Sequence, residues 1–318
     1  MDDTKFQKNP HDHIARKMFG RPDVAAGFFK EYLPKSISQR IEASKLYREP
    51  DTFIDESLQG SVADLLYRVE EDEGEFWLYC LFEHQSQPDH WMALRLLRYM
   101  LRIWDNHLAK HPKSKQLPPI IPIVLHQGKR GWTVAKKFRE LVSVPQEMEK
   151  DLLEYLPDFS FRLVDLSHLR FEEIRGTVIG RLTLMALKAA GEDRMEDFWQ
   201  SANELWSDLM EVESPQEIAR VLFRYIFYAD TSVDKQLYRD RVKILEPKEF
   251  SNTAMTLAEQ FIAEGIEKGI EKGIEKGIKQ ERKDIILRMN ASGLDVEKIV
   301  SLTGIPKADV LQCLAADE

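Results

Sequence analysis

Polar residues with oxygen donors stand at the ends of two neighbouring apolar segments. Asp64 comes early in one segment, and Glu83, His84 and Gln85 end the next. If the segments pair as antiparallel strands, alternate residues share a face, so Glu83 and Gln85 point to one side and Asp64 can lie beside them. Two carboxylates and a backbone carbonyl, here that of His84, are donors that Mg²⁺ prefers, and Mn²⁺ can replace it. This pattern predicts a cation site suited to phosphodiester hydrolysis, because a hard cation neutralises phosphate charge and acidifies an attacking water.

The pattern of two acids and an amide is not specific by itself, since an exposed polar strand end gives the same residues. Its surroundings favour a site. The apolar run 78–82 leads directly into Glu83, and a long helix is predicted over 91–108. Apolar residues recur in that helix at steps of four, three and four: Leu97, Leu101, Trp104 and Leu108. Three arginines line another face, where they could touch phosphates or simply face solvent: Arg95, Arg98 and Arg102.

Two further groups are secondary candidates. Asp12, between His11 and His13, could add a ligand or a base, although the polar start of a helix explains these residues more simply. Asp165, at the end of a short apolar run, could approach the same cleft, although capping of a loop is the favoured role.

The remaining elements predict an α/β fold in which helices flank a mixed sheet. Two short helices are expected within 11–46, and strands at 53–55, 61–69, 76–83, 120–125 and 161–166. Segments 61–69 and 76–83 form a hairpin around an acidic turn. The run 120–125 is typical of a buried parallel strand and ends in His126 and Gln127, where α/β proteins often bind ligands.

The C-terminal half is predicted to be helical. We expect a core over 1–170, a helical subdomain over 171–260, a repeat helix over 261–290 and a small helical hairpin over 291–318. Gly-Ile-Glu-Lys occurs three times from Gly265 to Lys276, which favours an assembly helix over a solvated linker. The last hairpin has helix-turn-helix spacing, but packing on a partner is favoured over DNA reading because its second helix offers few base-reading side chains.

Composition limits the function classes. The net charge of −9 over 318 residues argues against binding of nucleic acid through a broad basic surface. Two dispersed cysteines cannot form a disulfide framework, and no apolar run or leader sends the chain to a membrane, so a cytoplasmic location is expected. No glycine-rich phosphate loop is present, and we expect no organic cofactor.

The chain resembles a known family through segments 61–67, 81–86 and 92–100, and the likeness continues in order along nearly the whole chain. It is similar to the Rpn family of recombination-promoting nucleases and YhgA-like transposases, within the PD-(D/E)XK superfamily. The resemblance implies a restriction-endonuclease-like fold, magnesium-dependent DNA endonuclease activity and a role in RecA-independent recombination or mobile-element-like DNA transactions. It assigns Asp64, Glu83 and Gln85 to the catalytic positions, with glutamine where the superfamily pattern has lysine.

The replacement of lysine leaves two hypotheses open. In the first, the chain is an active endonuclease whose glutamine binds water or phosphate but supplies no positive charge. In the second, the site has decayed, and the chain is a DNA-associated or assembly protein that forms homo-oligomers through its C-terminal tail. A transposase with three spaced acids is a weaker third option.

Overall fold

The computed structural model describes residues 9–50, 63–71, 74–83, 88–229, 240–243, 245 and 247–315. Side chains are described within these ranges except at 63–64, 71, 74, 81–83, 261–262, 264–269, 271–272 and 275.

A five-stranded mixed sheet forms the centre of the N-terminal part. Its strands follow each other in chain order: β1 (Leu46–Arg48), β2 (Ala63–Glu71), β3 (Gly74–Glu83), β4 (Ile120–His126) and β5 (Arg162–Asp165). Strands β1, β2 and β3 pair antiparallel, whereas β3, β4 and β5 pair parallel. The predicted hairpin and the α/β class are confirmed. Strand β1 was not predicted, and the strand predicted at 53–55 lies outside the described residues.

Helices flank this sheet and make up the C-terminal half. Those of the first half are α1 (Pro10–Phe19), α2 (Pro22–Tyr32), α3 (Lys35–Ser38), α4 (Met92–Lys110) and α5 (Glu149–Leu152). The later ones are α6 (Val178–Glu192), α7 (Met195–Ser201), α8 (Asn203–Leu209), α9 (Pro215–Ala229), α10 (Lys248–Ala291), α11 (Val296–Thr303) and α12 (Lys307–Ala315). In the described part of the chain, no helix has the length and apolarity that crossing a membrane requires.

Helix α4 covers one face of the sheet. Its buried residues are Met92, Ala93, Leu96, Tyr99, Met100 and Ile103, and they pack with sheet residues such as Leu66, Tyr79 and Val124. The apolar stripe recognised in the sequence is therefore only partly the buried face. Leu97 and Trp104 pack at the edge of this cluster, but Leu101 and Leu108 are 51% and 40% exposed. Two sets of residues fit helical spacing, and the set that contacts the sheet is the buried one.

The opposite face of the sheet packs against α1 and α2, with α6 in contact with both helices. The buried Tyr67 of β2 donates its hydroxyl to the carbonyl oxygen of Phe19, and its ring contacts Phe29 edge-on at 5.7 Å. The sheet is thus the middle layer of three, as expected for an α/β fold.

Close packing also fixes the segment that follows β4. A Cβ added at Gly191 near the end of α6 would lie 1.9 Å from the carbonyl oxygen of Gln127. Only glycine leaves room for this approach. Helix α6 therefore supports the backbone immediately after β4.

Residues up to Leu257 form one compact unit, and Ala258–Glu318 form a second. Helix α10 begins in the first unit and ends in the second. In the second unit, Ile286, Ile299, Ile305 and Val310 form a small buried cluster, whereas Ile270 and Ile274 of the repeat are each 58% exposed. The predicted helical tail is confirmed, and the finer division of the chain into four segments stays a prediction.

Candidate functional site

The backbone register brings the two predicted acidic positions to one face of the sheet. Asp64 on β2 is paired with Leu81 on β3, and Glu83 lies two residues further along β3. Because paired residues and alternate residues share a face, Asp64 and Glu83 occupy diagonal positions on the face that α4 covers. Such positions are separated by roughly 7–8 Å between Cα atoms. One cation can bridge carboxylates carried at that spacing, since each oxygen lies about 2 Å from a magnesium ion.

A row of three residues crosses the parallel strands at their carboxyl ends. Glu83 is paired with His126, and His126 is paired with Asp165. Each is the last residue of its strand. Ligands of α/β proteins commonly bind outside this edge of the sheet, so the row lies where a functional site is expected.

For Asp64 and Glu83 the structure describes the backbone and not the side chains, and the predicted His84 and Gln85 lie outside the described residues. Among the side chains that are described, no three of His, Cys, Asp and Glu form a metal-binding group. The roles of these four residues therefore stay predictions.

His126 is described completely, and it is fully buried. Its Nε2 atom lies 2.9 Å from the carbonyl oxygen of Arg130, and its ring contacts Trp132 edge-on at 5.4 Å. Its Nδ1 atom is buried and has no hydrogen-bond partner among the described residues. Buried polar atoms are rarely left in this state, so this nitrogen requires an explanation.

Asp165 organises the loops beside the row. One carboxylate oxygen accepts hydrogen bonds from the backbone N–H of Ser167 at 3.1 Å and from its hydroxyl at 2.7 Å. The other accepts from the backbone N–H of Trp132 at 2.8 Å. The side chain is only 8% exposed, and His168 lies 3.6 Å from it. The loop-capping role favoured from the sequence is confirmed.

One arginine of the stripe on α4 lies beside an acidic residue. Arg95 Nη1 lies 4.0 Å from Asp89 Oδ2, and Asp89 also accepts a hydrogen bond from the backbone N–H of Trp91. Arg98 is exposed, and Arg102 is half-buried. Contact of Arg95 and Arg98 with phosphates stays a prediction.

The segment around Asp12 forms the start of α1. Asn9 donates a side-chain hydrogen bond to Asp12, and His11 Nδ1 lies 2.8 Å from the hydroxyl of the buried Tyr225 on α9. Burial lowers the pKa of His13, and the nearby Lys17 lowers it further. The helix-start interpretation is confirmed by the bounds of α1, and a role of Asp12 in the site stays a prediction.

In the sequence, His126 was notable only as a residue that ends a strand, where α/β proteins often bind ligands. The strand register makes His126 a candidate site residue, because it places His126 beside Glu83. The shared length of the two parallel strands could have signalled this, because both apolar runs end in a polar residue at the same edge.

Comparison with known proteins identifies relatives along most of the chain. The profile of the family described as "Putative transposase, YhgA-like" matches residues 9–217. Recombination-promoting nuclease RpnA of Escherichia coli K12 is 25% identical over 315 residues, which cover 99% of this chain and 96% of that protein.

Recombination-promoting nuclease RpnD of Escherichia coli O157:H7 is 26% identical over 204 residues, covering 58% of this chain and 78% of the relative. A third relative, the inactive recombination-promoting nuclease-like protein RpnE of Escherichia coli K12, is 25% identical over 306 residues, 96% of this chain and 97% of that protein. No solved structure matches the chain.

Proposed function

This chain belongs to the family described as "Putative transposase, YhgA-like", and on that premise we propose that it is a divalent-cation-dependent endonuclease that cleaves phosphodiester bonds in DNA. We further propose that its cleavage serves recombination or mobile-element-like DNA transactions. Relatives named as recombination-promoting nucleases, one of them similar over 99% of the chain, support the reaction class.

The observation that carries this proposal is the register of Asp64 and Glu83. Both occupy one face at neighbouring positions, and Glu83 ends a strand where the parallel part of the sheet also ends. Carboxylates at this spacing suit Mg²⁺ or Mn²⁺, which need few protein ligands and retain several waters.

We assign the cation to Asp64, Glu83 and the backbone carbonyl of His84. When bound, such an ion stabilises negative charge on the phosphate and lowers the pKa of a coordinated water. Gln85 would hydrogen-bond the attacking water or a phosphate oxygen through its amide, and it brings no charge of its own. We expect slower turnover than a lysine at this position would give, because glutamine cannot favour a deprotonated nucleophile electrostatically.

The test incubates purified full-length protein with supercoiled plasmid, with and without Mg²⁺ or Mn²⁺. We expect nicked or linear DNA only with the metal, and loss of cleavage in Asp64→Asn. Asp165→Asn is the matched control, since that carboxylate already accepts three hydrogen bonds from neighbouring loops. Metal-independent cleavage, or equal cleavage by wild type and Asp64→Asn, would contradict the proposal.

The alternative is a catalytically decayed protein that binds DNA or assembles through its tail. One observation favours it, because a relative similar over 96% of the chain is named as inactive. Gel-shift and cleavage assays on the same plasmid separate the two functions. Retention of uncut DNA throughout a Mg²⁺ and Mn²⁺ series would favour the alternative, whereas metal-dependent cutting would exclude it.

A further inference from the structure

The unpartnered nitrogen of His126 is the feature from which a further role can be argued. The residue has no exposed surface, and its Nδ1 makes no hydrogen bond to any described residue. Leaving a buried polar atom unsatisfied has a free-energy cost. Packing against Trp132 explains why a ring is present, but an apolar ring would pack as well without that cost.

The contact of the other ring nitrogen defines the state of Nδ1. A carbonyl oxygen only accepts hydrogen bonds, so Nε2, at 2.9 Å from the oxygen of Arg130, must carry the proton. In the neutral tautomer that this contact selects, Nδ1 presents an unshared electron pair.

This arrangement is the one that metal-binding histidines show. Such residues almost always donate the N–H of the second ring nitrogen to a carboxylate, a backbone carbonyl or water, which fixes the tautomer and the ring orientation. Here the turn after β4 supplies the carbonyl, four residues beyond the histidine. The turn is itself held, since Asp165 accepts a hydrogen bond from the backbone of Trp132.

The position of His126 agrees with this interpretation. It is the register partner of Glu83 on the neighbouring parallel strand, and both lie on the face that carries Asp64. Residues paired in this way place their side chains next to each other on one face of a sheet.

We propose that His126 is a third side-chain ligand of the cation, through Nδ1, and that this nitrogen makes the site favour Mn²⁺ over Mg²⁺. The inference rests on the cation site of the proposed function. Imidazole nitrogen binds transition-metal ions well, whereas Mg²⁺ prefers oxygen donors. Replacing the nitrogen should therefore weaken Mn²⁺ binding more than Mg²⁺ binding.

Two substitutions separate the ring nitrogens. The amide of glutamine reaches the place of Nε2, so His126→Gln can still donate to the Arg130 carbonyl while losing the nitrogen at Nδ1. The shorter amide of asparagine occupies the place of Nδ1, so His126→Asn keeps a donor atom there and loses the contact with Arg130. A purely structural role of His126 predicts that His126→Asn weakens Mn²⁺ binding more than His126→Gln does. A ligand role predicts the reverse order.

The experiment measures binding of Mn²⁺ and Mg²⁺ to full-length protein without DNA, by calorimetric titration, after thermal melts have verified folding. Loss of a residue that only orients a ligand typically costs 10–100-fold in metal affinity, so we expect His126→Gln to weaken Mn²⁺ binding by about 10-fold or more. Mg²⁺ affinity should change less, and His126→Asn should retain more Mn²⁺ affinity than His126→Gln. An unchanged ratio of Mn²⁺ to Mg²⁺ affinity in His126→Gln would overturn the inference.

A second measurement needs no variant of His126. Pulsed electron paramagnetic resonance of Mn²⁺ bound to His84→Gln should show coupling to a directly coordinated nitrogen, since His84 is then excluded as its source. Absence of nitrogen coupling would overturn the inference even if His126 variants failed to fold.

These outcomes also distinguish failure of the inference from failure of the site. If wild type binds neither cation, both proposals fall. If Asp64→Ala abolishes binding while His126→Gln binds as wild type does, the cation site stands and only the role of His126 is lost.

Discussion

Glu83 and His126 are paired in register at the carboxyl ends of two parallel strands, β3 and β4. One residue is an acid that the sequence singled out, and the other is a fully buried histidine whose Nδ1 has no hydrogen-bond partner among the described residues. The strand pairing thus connects a sequence motif with a residue more than forty positions away.

Asp165 is expected to stabilise the loops rather than bind the cation. Asp165→Ala leaves the backbone N–H groups of Trp132 and Ser167 without their acceptor, which should lower the free energy of unfolding by roughly 2–3 kcal/mol. Asp165→Asn keeps an acceptor oxygen, so its free energy of unfolding should fall by less. Denaturant titration gives both values. Loss of cation binding in a folded Asp165→Asn would show that Asp165 has a direct role.

Gly191 is expected to be required for the packing of α6 against the end of β4. Gly191→Ala should lower stability by about 1–3 kcal/mol, because its Cβ would overlap the carbonyl oxygen of Gln127. Gly273→Ala and Gly277→Ala are matched controls in the repeat helix, where an added Cβ would meet no atom of the described residues within 4 Å. These should instead stabilise the helix by up to ~1 kcal/mol each. Chemical denaturation followed by circular dichroism measures all three, and a neutral Gly191→Ala would contradict the packing argument.

His13 is expected to make the fold sensitive to acid. Burial, and to a lesser extent Lys17, hold its pKa in the fold below the ordinary value of 6.5. The unfolded chain therefore takes up the proton first, and stability is lost as the pH falls from 6.5 through the lower pKa of the folded state. His13→Gln should lose less stability than wild type between about pH 7.5 and about pH 5. Lys17→Gln removes the smaller of the two causes of the lowered pKa, so it should change the pH dependence of stability less than His13→Gln does. Identical pH profiles of wild type and His13→Gln would contradict the assignment.

The exposed isoleucines of the repeat helix are expected to form a contact between copies of the chain. Ile270, Ile274 and Ile278 are 58%, 58% and 45% exposed, and a step of four residues keeps them close to one slowly winding line on the helix. Replacing all three with glutamate should reduce the mass seen by light scattering. A control variant that replaces the exposed Lys276 and Lys279 with glutamate should keep the mass of wild type. A monomeric wild type would contradict the assembly role.

Much of the fold could be predicted because its strands and helices carry strong local signals. The hairpin follows from β-branched and aromatic segments around an acidic turn, and β4 from an apolar run with few polar interruptions. Strand β1 has only three residues, and no alternation can be recognised in so short a segment. In α4, two sets of residues satisfied helical spacing, and only contact with the sheet determines which set is buried.

In the candidate site too, some features follow from local sequence patterns and others depend on tertiary contacts. Alternation along a strand and antiparallel pairing were enough to predict that Asp64 and Glu83 share a face. The state of His126 could not be predicted, because it depends on a carbonyl brought back by the turn at Arg130 and on the registration of two strands joined by a helix. Contacts of this kind arise from tertiary structure and leave no local pattern.

The central claim is that Asp64 and Glu83 together hold one cation required for DNA cleavage. The most direct measurement compares Mg²⁺- and Mn²⁺-dependent plasmid cleavage by wild type, Asp64→Ala, Glu83→Ala and the double variant, all verified as folded. Residues that serve one ion act as a unit, so each single change should reduce cleavage to background and the double change should reduce it no further. Robust cleavage by either single variant, or losses that multiply in the double variant, would contradict the account.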